Sequence, residues 1–219
     1  MNPLFAQLSS NFLPRFLAGM VVNFEIAAIA ITLGVGVGLV LAIGRLSGGL
    51  AGRAAATIIA VMRASPTFVV MFFLLNVIPR EAKLFGAPLA LSGLMAVALS
   101  LVPYAAAYTA DNGIEAWRQW RGGSPLAGLL LLPNLSRAFF VLVMSSSAGA
   151  AIGVNEGIAV ILHYAEVLPT LGDKLVLFGI GILCFGVPLQ AGFAAIGLVQ
   201  RRLGRLVPRS REEPALRPS

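Results

Sequence analysis

The chain is short of the residues that most chemistry requires. Its 219 positions hold one cysteine, one histidine and nine acidic residues. The single Cys184 rules out an intrachain disulfide and leaves the redox compartment open. With His163 as the only histidine, a metal site of several His or Cys ligands cannot be assembled, and no metal or cofactor is expected. Charged residues make up 11% of the chain, against about 25% in soluble domains. They are absent altogether from residues 26–44, 84–110, 138–155 and 175–200, runs of 19, 27, 18 and 26 residues. About 20 apolar residues cross a bilayer as a helix, so these runs exclude an ordinary soluble domain.

What the chain does have is apolar mass, 58% of its residues against roughly 45–50% in soluble proteins. The expected class is an all-α polytopic membrane protein with about five transmembrane helices, at 16–44, 55–78, 88–110, 125–151 and 175–200. The segment 152–174 carries His163, Glu166 and Pro169, and is expected to lie along the membrane or re-enter it. The first apolar stretch is too long for a cleaved signal and reads as a span. Three domains follow: a periplasmic segment 1–15, a transmembrane domain 16–200 and a basic cytoplasmic tail 201–219, disordered from Pro208 onward.

The net charge of +7 is concentrated at the end, with Arg201, Arg202, Arg205, Arg209, Arg211 and Arg217 beyond the last apolar run. A basic tail of this kind marks the cytoplasmic side and can touch anionic membrane lipid. Without an aromatic-interleaved basic patch it does not read as a nucleic-acid site. In the first span Ala30, Gly34, Gly38 and Ala42 recur every four residues. Small residues at that spacing allow close helix approach, either within one subunit or between two.

The search for catalytic groups is brief, and no catalytic residue is expected. Ser145, Ser146 or Ser147 could pair with His163, but no Gly-x-Ser-x-Gly elbow prepares a nucleophile. No phosphate-binding Gly-x-x-x-x-Gly-Lys motif occurs, so any ATP is bound by another chain. The remaining polar residues in or beside apolar helices are Arg63, Ser65, Thr67, Ser145, Ser146, Ser147, Asn155 and Glu156. Ionisable groups at membrane depth point to a polar pathway, so these are the candidate substrate-path residues. Arg63 stands out inside an apolar stretch, with snorkelling to the interface as its alternative. Glu25 and Arg137 read as interfacial or paired.

Several motifs resemble one family. Phe16-Leu-Ala-Gly19, Asn23-Phe-Glu25-Ile and Ala42-Ile-Gly-Arg45-Leu-Ser47 resemble the first helix of permease subunits of ABC importers for polar amino acids. Val61-Met-Arg63-Ala-Ser65-Pro66-Thr67 is similar to that family's Phe-Arg-Gly-Thr-Pro segment. Ala105-Ala-Ala-Tyr108-Thr-Ala-Asp111 resembles its Ala-Ala-Tyr-x-Ala-Glu, and Leu132-Pro133 through Ile152-Gly-Val-Asn-Glu156 resembles a stretch ending Ile-Gly-Val-Pro-Glu. Two features depart from the pattern. The cytoplasmic loop that carries the coupling helix is shortened to Asn112–Ser124, and Met144-Ser-Ser-Ser147 replaces the family's Lys-Asp-Thr-Ser.

The resemblance implies an ABC importer permease fold and a transport subunit, not an enzyme. It implies a second permease subunit, identical or related, a cytoplasmic ABC ATPase dimer and a periplasmic substrate-binding protein. The bacterial inner membrane would be its location, and polar amino acids or related small polar solutes its cargo. The shortened loop supplies Glu115, Trp117, Arg118, Trp120 and Arg121 as candidate ATPase-coupling residues, Trp and Arg being enriched at interface hot spots. The alternative for the two tryptophans is an aromatic belt. A secondary transporter or channel without an ATPase is the competing class, though no internal repeat joins the two halves. A non-transporting scaffold would need no polar residues at depth.

Topology follows from the basic residues. With the amino terminus outside, the inner segments hold Arg45, Arg53, Arg118, Arg121 and the six tail arginines, ten in all. The outer segments hold four, Arg15, Arg80, Lys83 and Lys174. Reporter fusions after Ser47, Ala87, Gly122, Gly172 and Ser219 are therefore expected to read in, out, in, out, in. A cytoplasmic signal after Gly172 would overturn the five-span topology.

Overall fold

Helix α1 (Leu13–Leu46) starts with Pro14 in its first turn, where a missing N–H costs nothing, and runs for 34 residues. At 1.5 Å per residue that is about 51 Å, well beyond the ~30 Å of a bilayer core, so α1 extends past the membrane or tilts. A computed structural model of the chain describes residues 11–78, 83–84, 87–88, 91–123, 128 and 131–206. The expectations for residues 1–10 and for the tail beyond 206 fall outside these. Among the described residues α1 is followed by α2 (Gly49–Ala64), α3 (Thr67–Val77), α4 (Gly93–Arg121), α5 (Leu131–Ser145), α6 (Gly157–Glu166) and α7 (Leu171–Leu206). A two-residue antiparallel pair, Lys83–Leu84 with Ala87–Pro88, lies in the link between α3 and α4 and leaves the all-α class unchanged.

Among the described residues four helical stretches are long and apolar enough to cross a membrane: α1, α4, α5 with its continuation to Ile152, and α7. The expected second span, 55–78, is not one helix. It is α2 and α3, bent by 97° at a two-residue break. The cause is local: Pro66 has no N–H to donate, and Ser65 before it is forced into an extended conformation, φ −70° and ψ 117°. Counted as one broken span, the pair brings the total to five.

Two further expectations are corrected. The connection expected over Asn112–Ser124 is helical through Arg121, because α4 continues that far and stops at Gly122 and Gly123, the latter with φ +91°; Ser124 lies outside the described residues. Its last turns contain helix formers and an i,i+4 hydrogen bond from Gln119 to Glu115 at 2.9 Å. The fourth span is α5 continued as a 3₁₀ segment, Ser146–Ile152, which Gly153 ends in the left-handed region at φ +81°. The segment 152–174 contributes α6, a ten-residue apolar helix that buries Val160, Ile161 and Ala165 in the main core.

The largest helix pairing is α1 on α4. Ala30, Gly34, Gly38 and Ala42 are all buried on this seam, so the small-residue stripe packs inside one chain rather than at a subunit boundary. A Cβ on Gly34 would collide with Ala105, and one on Gly38 would lie 2.5 Å from the Ala106 carbonyl oxygen and 2.6 Å from Thr109 Cβ. Gly36, on the open side, meets nothing within 4 Å. Around the seam, a main core draws on α1 and α3–α7, and a smaller cluster joins Ala42 and Ile59 to Ala107, Ala110 and Ile114.

This seam yields a comparison with an internal control. Gly38→Leu must push the backbones apart and is expected to destabilise the bundle by about 1–3 kcal/mol, the usual range for overpacking. Gly36→Ala is expected to leave stability unchanged or slightly improved. Thermal unfolding in mild detergent distinguishes them, and equal melting temperatures for both variants would refute the seam.

Candidate functional site

Two polar sites emerge from the bundle, and most of the sequence-selected residues divide between them. The first surrounds the break in the second span. Ser65 Oγ donates to the Val61 carbonyl at 2.8 Å and so satisfies one of the acceptors left at the end of α2. Thr67 opens α3 just beyond Pro66. Arg63, in the last turn of α2, does not sit alone among apolar side chains. Its guanidinium forms an ion pair with Asp111 on α4. Both side chains are about half exposed, 60% and 46%, so water screens the pair and its stabilising contribution is small.

This ion pair lies in a cleft of about 310 Å³ that also contains Arg45, Glu115 and Arg118. A residue chosen for the substrate path, Arg63, thus shares a cleft with two chosen for coupling, Glu115 and Arg118. Their sequence separation hid this, because only the antiparallel packing of α2 and α4 brings 63 beside 111 and 115. Trp117 and Trp120, both exposed, pack against each other near the end of α4 with ring centroids 5.0 Å apart. Arg118 and Arg121 occupy the last turn, where cations favour the negative end of the helix dipole.

The second site is centred on Glu156, which is fully buried. It caps α6, accepting from the backbone amides of Ile158 at 3.0 Å and Ala159 at 2.9 Å. Asn23 on α1, also fully buried, donates its Nδ2 to Glu156 at 2.9 Å and to Ser146 Oγ at 2.8 Å. Its Oδ1 accepts from Gly157 N at 3.0 Å. Glu156 lies outside the spanning helices, and burial raises its pKa, opposed by the Ile158 amide, the Asn23 side chain and the Ala159 amide.

The serine run does not act as one surface. The change from α5 to the 3₁₀ segment turns Ser145 outward, Ser146 inward to Asn23 and Ser147 to a half-buried flank. Asn155, next to Glu156, is exposed and takes no part in the network. Sequence reasoning did not select Asn23 as a site residue, although a lone amide in an apolar run was the available signal. It also passed over Asn112, Asn134 and Gln200, which link α4, α5 and α7. Asn134 donates to Asn112 Oδ1 at 2.8 Å, and Gln200 donates to Asn134 Oδ1 at 3.5 Å.

With this geometry established, the chain can be set beside known proteins. A crystal structure described as an amino acid ABC transporter with histidines is similar to it, with a TM-score of 0.68 and 20% identity. The match covers 88% of this chain and 95% of that one. The fold is an ABC transporter permease fold. No protein-family model matches the chain, and no curated protein matches it in sequence. In a permease fold the two polar sites differ in character: the Glu156 network is satisfied inside the chain, whereas the Arg63 cleft is open and charged.

The buried network has a measurable consequence. Glu156→Leu removes the acceptor for Asn23 and two backbone amides, and each orphaned buried donor costs about 1–3 kcal/mol. The variant is expected to unfold at a clearly lower temperature in detergent, while Asn155→Ala, one position away, is expected to match the parent. Equal stability of Glu156→Leu and the parent would contradict the network.

Proposed function

We propose that this chain is a transmembrane permease subunit of an ATP-driven ABC importer, moving polar amino acids or related small polar solutes across the bacterial inner membrane. The observation that carries the reading is the permease fold shared over 88% of the chain with an amino acid ABC transporter. The subunit performs no bond-breaking chemistry. It pairs with a second permease, identical or related, and works with a cytoplasmic ATPase dimer and a periplasmic substrate-binding protein. In this reading 1–15 is periplasmic, 16–200 is the permease domain and 201–219 is a cytoplasmic tail.

The mechanism is a population shift: ATP binding favours one arrangement of the permease pair, and hydrolysis restores the other. The break at Ser65–Pro66 supports this role, since the regular i to i−4 hydrogen-bond ladder is interrupted there and α2 and α3 are separate helices that can shift relative to one another. Arg63, Ser65 and Thr67 are assigned to the solute path at this break, together with Ser145, Ser146, Ser147, Asn155 and Glu156. Glu115, Trp117, Arg118, Trp120 and Arg121 are assigned to the ATPase contact. The helical end of α4 presents the exposed Trp117–Trp120 pair as an anchor of the kind found at hot spots. One observation favours a secondary transporter instead: the connection in which the family carries its coupling helix is shortened here, and its residues through Arg121 belong to α4.

One reconstituted system tests both readings. The chain, purified in mild detergent, is expected to retain an ATPase and to support ATP-dependent uptake in vesicles. Arg63→Ala is expected to lower uptake at least about tenfold with the ATPase still bound. Trp117→Ala with Trp120→Ala is expected to release the ATPase, since truncating a hot-spot aromatic costs ~2 kcal/mol or more, roughly thirtyfold in affinity. Uptake that proceeds without ATP would establish the secondary transporter and defeat the importer reading.

A further inference from the structure

A second cavity, of about 450 Å³, lies between the start of α1 and the face of α6. It is within the range of small-ligand pockets, and neither the solute path nor the ATPase contact uses most of it. Arg15, His163, Tyr164 and Asn155 line it, and its floor is Gly19. The floor is backbone: a Cβ on Gly19 would lie 2.8 Å from the Glu156 carbonyl carbon, so the glycine seats α1 directly on the start of α6.

The lining is chemically one-sided. It offers a guanidinium, an imidazole, an amide and a phenol, and no carboxylate. The neighbouring Glu156 is fully buried and engaged by Asn23 and two backbone amides, so it does not face the cavity as a free charge. Among the described residues the single ion pair is Arg63–Asp111, which leaves Arg15 without an acidic partner there. An unpaired guanidinium beside further donors is suited to an oxyanion, which it can hold through two parallel hydrogen bonds.

The surroundings indicate which oxyanion. Of the lining side chains, Tyr164 meets His163 edge-on at 5.8 Å, and the buried Phe12 behind the cavity meets Tyr164 edge-on at 5.4 Å. A tyrosine beside a basic residue near the start of a spanning helix is characteristic of headgroup depth, where amphipathic rings are most stable. Basic side chains at that depth attract anionic lipid headgroups.

We propose that this cavity is a binding site for the phosphate of an anionic phospholipid, held by Arg15 and His163 with Asn155 and Tyr164 as further donors. The inference rests on the membrane-spanning fold and is independent of the transport reading.

The test uses the full chain in nanodiscs of phosphatidylcholine with or without phosphatidylglycerol, stripped with detergent and weighed by native mass spectrometry. The parent is expected to retain phosphatidylglycerol in preference to phosphatidylcholine. Arg15→Gln with His163→Gln is expected to lower that retention at least about tenfold, since the loss of the charge-assisted Arg15 contact alone is worth about that much. Arg15→Gln alone, with melting temperature checked against the parent, covers the case in which the double variant misfolds. Arg201→Gln with Arg202→Gln controls for lipid held by the end of α7 and is expected to leave retention unchanged. Undiminished retention in both Arg15 variants overturns the site. Release of the lipid by free glutamate or inorganic phosphate, at the same ionic strength of chloride that does not release it, would assign the cavity to a soluble anion and overturn the lipid.

Discussion

Close backbone contact between α1 and α4 governs the placement of everything else. Helices in lipid gain nothing by hiding apolar surface from one another, because the lipid tails are equally apolar. What remains is dispersion, and it rewards only surfaces that can approach closely. Gly34 and Gly38 against Ala105, Ala106 and Thr109 provide that approach. The seam also fixes the rotation of α4. At 100° per residue, Asp111 and Asn112 point about 200° and 300° away from Thr109, toward other neighbours. Asp111 meets Arg63 of α2, and Asn112 meets Asn134 of α5. A residue with a side chain at either glycine would disturb both contacts without touching them.

Much of this was legible in the sequence, and the failures have physical causes. Charge-free runs located α1, α4, α5 and α7 because a buried charge in lipid is so costly that its absence is informative. The break in the second span was less visible, since hydropathy averages across Ser65–Pro66 and both flanking segments are apolar. Pro66 and the residue before it were the decisive signal, and they act through backbone geometry that hydropathy does not measure. The end of α4 was read as a shortened loop from the family likeness, while the local composition of Glu115, Ala116, Arg118 and Gln119 favoured helix. Asn23 had a local signal as a lone amide in an apolar run, but nothing local names its partner, a carboxylate 133 positions later.

The two polar sites separate structure from motion. Glu156 has its acceptors occupied by donors of the same chain, and rearranging it would expose several orphaned groups at once. Such a network holds α1, the 3₁₀ segment and α6 in one arrangement. The Arg63–Asp111 pair is the reverse case. Half exposed and screened, it can exchange its partner for water or for another charge at small cost. A conformational switch needs states separated by only a few kcal/mol, and a weak pair at a pre-broken span meets that requirement where a buried network does not.

The same contrast bears on how the chain meets its surroundings. Only 11% of the apolar window of α7 is buried within the chain, against 56% for α4. α4 is therefore the internal post of the bundle, and α7 is the wall that faces lipid or a second subunit. The amides of Asn134 and Gln200 tie α7 to the rest near one end. Pro188 interrupts its hydrogen-bond ladder midway, so the two halves of α7 need not move together. α4 carries a proline of its own, Pro103, but α1, α2, α3 and α5 all pack on it, whereas α7 is held by little of the chain, so the centre is fixed while the flanks can shift. In the proposed importer, that division assigns the response to ATP to the flanks and leaves the seam between α1 and α4 unchanged in either state.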